Sequence, residues 1–296
     1  MRSIIEYTGK YFDVLFHPTS IRKIELIFLR LAVISFISHL LIIFIGNNFA
    51  LFGSVHHNYL KAIYTPFSFI LFYEVFLLII IIPKSISEFI GKQFEVITLI
   101  TLRSFFHDIA EFNFKNSLEL HNTELRSLVY DLVAALLMLA LTMLYYKIYH
   151  KNSKSDTINE LVKFINIKKL LSLAMVVILL LLSFTAFYQW AIEMISALRN
   201  HHHYPDPNTV FYSDFFSIMI FVDVMLLLIS FTYHFSFFTI FRNASFIITT
   251  ILIRMSLTIE KPMNYLVVGA GFLFAICSFY LYSLRNFKMI SSIEKK

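Results

Sequence analysis

Charge is what this sequence has least of. Only 15% of its 296 residues are Asp, Glu, Lys or Arg, against roughly a quarter in an ordinary soluble domain. A chain that is also 58% hydrophobic has too much apolar surface to hide from water, so lipid must be the solvent for most of it. Cysteine is scarcer still. Cys277 is the single copy and sits inside an apolar run, which excludes an internal disulfide and a cysteine-based metal cluster. The chain also lacks a CxxCH, P-loop, GxSxG or HExxH pattern, so the standard membrane-enzyme chemistries have no support. No basic, polar domain lies outside the apolar runs. The net charge of +6 therefore reads as a topology signal rather than a nucleic-acid patch. The first 23 residues, MRSIIEYTGKYFDVLFHPTSIRK, lack a continuous apolar core, so no cleavable signal peptide is expected. Their clumps of Ile, Tyr and Phe predict a short interfacial helix lying on the membrane surface.

What the chain does have is apolar length. Its 34 Phe and 16 Tyr suit helix interfaces and the headgroup belt. The fold class predicted is an all-α polytopic membrane protein of about eight transmembrane helices, near 24–46, 62–82, 86–110, 127–149, 169–197, 211–240, 243–259 and 264–285. Each segment must supply about 20 residues to cross a hydrocarbon core of about 30 Å. The third is weakened by its charges and the seventh by its shortness and Arg254. The organisation that follows is an interfacial segment 1–23, a four-helix half 24–149, a polar linker 150–168, a second half 169–285 and a tail 286–296. Lys and Arg collect on one side of this arrangement: Arg22 and Lys23 before the first span, Lys84, the linker run from Lys147 to Lys169, and Arg285 and Lys288 in the tail. By the positive-inside rule both termini are cytoplasmic, in a plasma (inner) membrane.

The halves resemble one another. PFSFILFYEVFLL at 66–78 aligns with FFSIMIFVDVMLL at 215–227, placing Glu74 on Asp223. FEVITLITLRSFF at 94–106 aligns with SFIITTILIRMSL at 245–257, placing Arg103 on Arg254. Rare ionisable positions coincide along with the common apolar ones, which favours a duplication over chance. An even number of spans per half makes the repeat parallel, not inverted.

The buried charges are the functional candidates. An ionised group at mid-bilayer costs at least about 2.5–3.5 kcal/mol on insertion scales, so it faces protein or water and has a partner. Counting depth from the outer helix ends predicts Glu74–Arg103 and Asp223–Arg254 ion pairs. Glu88, Lys92, Glu95 and Arg103 fall within about 80° on a helical wheel, with Lys92 spaced for ladder contacts to both glutamates. Such a stripe suits a polar helix interface or a wet cavity. Arg103 and Arg254 are each isolated, which excludes an arginine-repeat voltage sensor. Of the 11 histidines, His201, His202 and His203 form the densest run, on the outer side. Imidazole ligates zinc, copper or nickel, so a divalent metal there is weighed against plainly solvated loop histidines, which the irregular spacing favours. His39 and His234 fall at different depths, against a shared haem. No other cofactor is indicated. The reading reached is a channel or transporter for an ion or small solute, with a polar cavity between the halves, in contact with the lipid bilayer and with a second copy or a partner subunit. The rivals are a structural or regulatory subunit whose charge pairs are architectural, and a redox or enzymatic membrane protein with an unrecognised site.

Overall fold

The computed structural model describes residues 2–49, 59–111, 123–152, 162–200, 207–233 and 237–293. Among these there are nine helices and no strand: α1 (Arg2–Leu15), α2 (Pro18–Phe49), α3 (Lys61–Ile80), α4 (Ile86–Glu111), α5 (Thr123–Asn152), α6 (Val162–Asn200), α7 (Pro207–Tyr233), α8 (Phe237–Ser256) and α9 (Met263–Ile293). Local chemistry sets several of their ends. Pro18 opens α2, where a missing N–H costs nothing. Pro83 lies in the turn after α3, which its ring and absent donor help to stop. Ser85 then caps α4, its Oγ accepting the Glu88 N–H at 3.1 Å, the Ser-x-x-Glu spacing of a capping box.

Four stretches are long and apolar enough to cross a membrane: Pro18–Ile45, Leu125–His150, Phe164–Thr185 and Met263–Leu284. By length and composition the chain is therefore a membrane protein. Among the described residues a helix occupies most of each of the eight predicted segments, but α3, α4, α7 and α8 fall short of that criterion. The apolar stretches of α3 and α7 are short, Thr65–Ile80 and Ser217–Ser230. On α4 charged residues interrupt the apolar run.

The reason α4 tolerates its charges is its position. It is packed on three sides, against α3, α5 and α8. Phe89 and Val96 enter one core with Leu71, Val75, Met175, Met219 and Val222, from α3, α6 and α7. Ile90, Phe94 and Ile97 enter a second, with Met138, Tyr145, Phe246, Phe272 and Phe279, from α5, α8 and α9. Glu88, Lys92 and Glu95 share a third face, within about 60° of one another. Only 11% of the best α2 window is covered by the rest of the chain, and its bare face carries Leu26, Ile34, Ile37, Leu41 and Ile42, as a lipid-facing helix should.

Both ends of the linker expected at 150–168 are helical, with α5 running to Asn152 and α6 beginning at Val162, and residues 153–161 lie outside the described residues. Lys168, expected in that polar stretch, is 1% exposed. Its Nζ donates to the Lys84 carbonyl at 3.1 Å and lies 4.3 Å from the Phe164 ring centroid. Four residues on, Ser172 Oγ donates to the Ile79 carbonyl at 2.8 Å. The Ile79 carbonyl belongs to the last turn of α3, where carbonyls lack an intrahelical partner, and the Lys84 carbonyl belongs to the turn that follows, so α6 supplies a hydroxyl to one and an ammonium to the other.

Candidate functional site

The turn between α3 and α4 fixes the register of the charged residues. Glu74 lies seven residues before Ile81, and Lys92 seven after Ser85, so the antiparallel hairpin brings them level. Lys92 Nζ contacts Glu74 Oε2 and pairs with Glu95 Oε2 at 2.6 Å. Tyr146 on α5 donates to the other Glu95 oxygen at 2.7 Å. Gly91 permits that reach, because a Cβ there would come within 3.0 Å of the Tyr146 ring. Glu88 turns the other way, to Lys84 at 2.8 Å. One lysine is thus shared by two carboxylates, one of them also bonded to a phenol. These side chains are not equally covered: Lys92 and Glu74 are 12% and 16% exposed, but Glu95 is 37% exposed. Glu95 stands ten residues into its helix from Ile86, about 15 Å along the axis.

The predicted Glu74–Arg103 pair does not form. Arg103 lies eleven residues beyond Lys92, about 16 Å further along α4, too far to displace it. Arg103 is buried and makes interactions elsewhere. Depth counted from ill-defined outer helix ends carried this error, whereas the Pro83 turn gives the register directly.

Asp223 and Arg254 are brought together. Arg254 Nη2 lies 2.8 Å from Asp223 Oδ2, with the side chains 4% and 2% exposed. The geometry is that of a charge contact rather than an aligned hydrogen bond. Gln93 on α4 lies against the same carboxylate and accepts a hydrogen bond from Thr250 Oγ1 at 2.7 Å. The pair therefore ties α7 and α8 to α4. It is not the counterpart of the α3–α4 hairpin pair, because the aligned residues choose partners at different registers. A cavity of about 20 Å³ borders Asp223 and Thr250, and one of about 10 Å³ borders Gln93 and Arg254. Each has room for about one water molecule. Around them the seam between the halves is filled, with Phe94 stacked on Phe272 at 3.7 Å and Tyr145 packed on Phe94 at 5.1 Å. The cavity expected between the halves is occupied by side chains. The incompletely covered charges lie on the third face of α4 instead.

A second cluster, missed in the sequence, closes the opposite end. Lys261, in the turn between α8 and α9, lies 2.9 Å from both Asp108 Oδ2 on α4 and Asp131 Oδ2 on α5. Ser127 donates to Asp108 at 2.7 Å, and the Tyr265 hydroxyl contacts Asp131. Asp131 is fully buried. The signal was present, since Asp131 is the lone acid between Leu125 and His150, but nothing in the sequence pointed to a partner 130 positions away. The two ends of α4 thus repeat one arrangement: a lysine between two carboxylates, with a tyrosine on one of them.

His201, His202 and His203 lie outside the described residues, as does His234. His39 meets Thr65 Oγ1 at 2.5 Å. Among the described residues no group of three or more His, Cys, Asp and Glu side chains is arranged to hold a metal ion. No protein-family model, curated protein or solved structure matches the chain.

Proposed function

We propose that the chain is a transport protein that passes an ion or small solute along the third face of α4. The observation that supports this is Glu95, a carboxylate left more than one-third uncovered well inside a helix of a membrane protein. Left against hydrocarbon it would cost at least about 2.5–3.5 kcal/mol. Water or a passing polar solute on that face removes the cost. Glu74, Glu88 and Glu95 are matched in number by Lys84, Lys92 and Arg103 along this stripe, and Glu95 is the acid on it left partly uncovered, where it can act on a passing cation. In this reading eight helices span, the halves are parallel repeats, and the α3–α4 turn lies on the cytoplasmic side of a plasma membrane.

The test is flux in liposomes. Glu95→Gln keeps size and one hydrogen-bond acceptor for Tyr146 but removes the charge. Folding should be nearly unchanged, with cation flux or cation preference altered several-fold. Glu95→Cys, with Cys277→Ser, should react with charged thiosulfonates, because a wet thiol ionises and a dry one does not. A Glu95→Gln variant that loses stability with flux untouched, together with an unreactive cysteine, would establish the scaffolding role and end the transport reading.

A further inference from the structure

We infer that the outward face of α1 is a docking surface for anionic phospholipid headgroups. The apolar residues of α1 take up about half its circumference, and the protein covers only one edge of that arc. Phe12 is buried, and a Cβ on Gly9 would press on Asn166 of α6. Asp13 holds Lys169 at 2.6 Å, and Phe16, just beyond the helix, packs edge-on against Phe76 of α3 at 6.0 Å. These contacts fix the rotation of α1. Tyr7, Tyr11 and Val14 then point away from the protein, within about 60° of one another, and are 65%, 66% and 73% exposed.

Position decides what covers that face. Only His17 and the turn before it separate α1 from α2, and the membrane-crossing stretch of α2 begins at Pro18. The short helix must therefore lie where the chain enters the bilayer. Tyrosine suits that depth, with its ring in the acyl boundary and its hydroxyl among headgroups. Charge chooses the lipid. Lys10 flanks the tyrosines, and Arg22 and Lys23 follow on the first turns of α2, all three exposed. Of the neighbouring acids, Asp13 is already engaged by Lys169, Glu6 is matched in number by Arg2 on the same helix, and Glu25 lies a turn further on, near Tyr73. A basic group close to an anionic leaflet strengthens binding about fivefold per charge.

The experiment uses the full chain with Cys277→Ser, spin-labelled at Tyr11→Cys or Val14→Cys. The samples are vesicles of phosphatidylglycerol with phosphatidylcholine, and vesicles of phosphatidylcholine alone. In the anionic vesicles both labels should collide with oxygen rather than a water-soluble nickel complex, at a depth of about 5–10 Å. Pure phosphatidylcholine, or Lys10→Gln with Arg22→Gln and Lys23→Gln, should shift the labels toward water. Equal depth in both lipids would overturn the charge selection. Labels exposed to water in both would overturn the lipid contact. Labels shielded from both reagents would assign the face to a second copy or a protein partner instead.

Discussion

At the scale of single residues, the feature with the largest energetic consequence is the Asp223–Arg254 contact. Taking either charge away leaves the other in a packed interior, which typically costs about 3–5 kcal/mol. Asp223→Asn and Arg254→Gln should each lower the thermal unfolding temperature in detergent substantially. The double variant should recover part of the loss, because no uncompensated charge remains. Losses that simply add in this cycle would show that the two side chains do not stabilise one another. Glu95 is expected to behave in the opposite way, since its carboxylate is uncovered and its removal strands only Lys92, which keeps Glu74. The expected contrast is between a buried pair whose loss lowers stability and a partly uncovered acid whose loss leaves stability nearly unchanged.

At the scale of elements, α4 organises the fold by presenting two apolar faces and one charged one. The α4–α5 contact depends on Gly91, where Tyr146 lies close enough to fill the space of a side chain. Gly91→Ala should overpack this contact, costing about 1–3 kcal/mol, and should push Tyr146 off Glu95. Shortening the neighbour removes the clash, so Gly91→Ala should cost much less in a Tyr146→Ala background; an equal cost in both would place the strain elsewhere. How much of this was legible depended on how local the signal was. The apolar runs announced all eight long helices, and the wheel of Glu88, Lys92, Glu95 and Arg103 announced a polar face. The Lys92–Glu95 contact followed from a spacing of three. What failed was whatever depended on register between elements. Glu74 was given Arg103 because depth was measured from vague ends. Lys168 was placed in a polar linker because its sequence neighbourhood is polar, although it is buried against the Lys84 carbonyl of the α3–α4 turn and the Phe164 ring. The Lys261 cluster joins a turn to two helices more than a hundred residues away, and no periodicity encodes that.

At the scale of the whole molecule, the two lysine-centred clusters mark opposite ends. One end holds α1, the α3–α4 turn and the start of α6; the other holds the end of α4, the start of α5 and the α8–α9 turn. Basic loop residues favour the first end, with Arg22, Lys23, Lys84 and Lys147 there, so it is expected to face the cytoplasm. Reporter fusions within 153–161 and after 293 should read cytoplasmic, and fusions within 50–58 and 201–206 external. An external signal from 153–161 would reverse the assignment and with it the direction in which the α4 face opens.

The three-sided packing of α4 also bears on how the protein is made. A helix carrying Glu88, Lys92, Glu95, Arg103 and Asp108 partitions poorly into lipid by itself. Its first counter-charge is already available as it emerges, because Glu74 precedes Lys92 in synthesis and the two meet across a tight hairpin. Asp108 and Asp131 have no such advantage. They must wait for Lys261, which follows four helices after α4 and three after α5. Until then α4 and α5 carry two acids without their shared ammonium. The end of the bundle whose charges are matched last in synthesis is therefore the one whose shared ammonium comes from the α8–α9 turn.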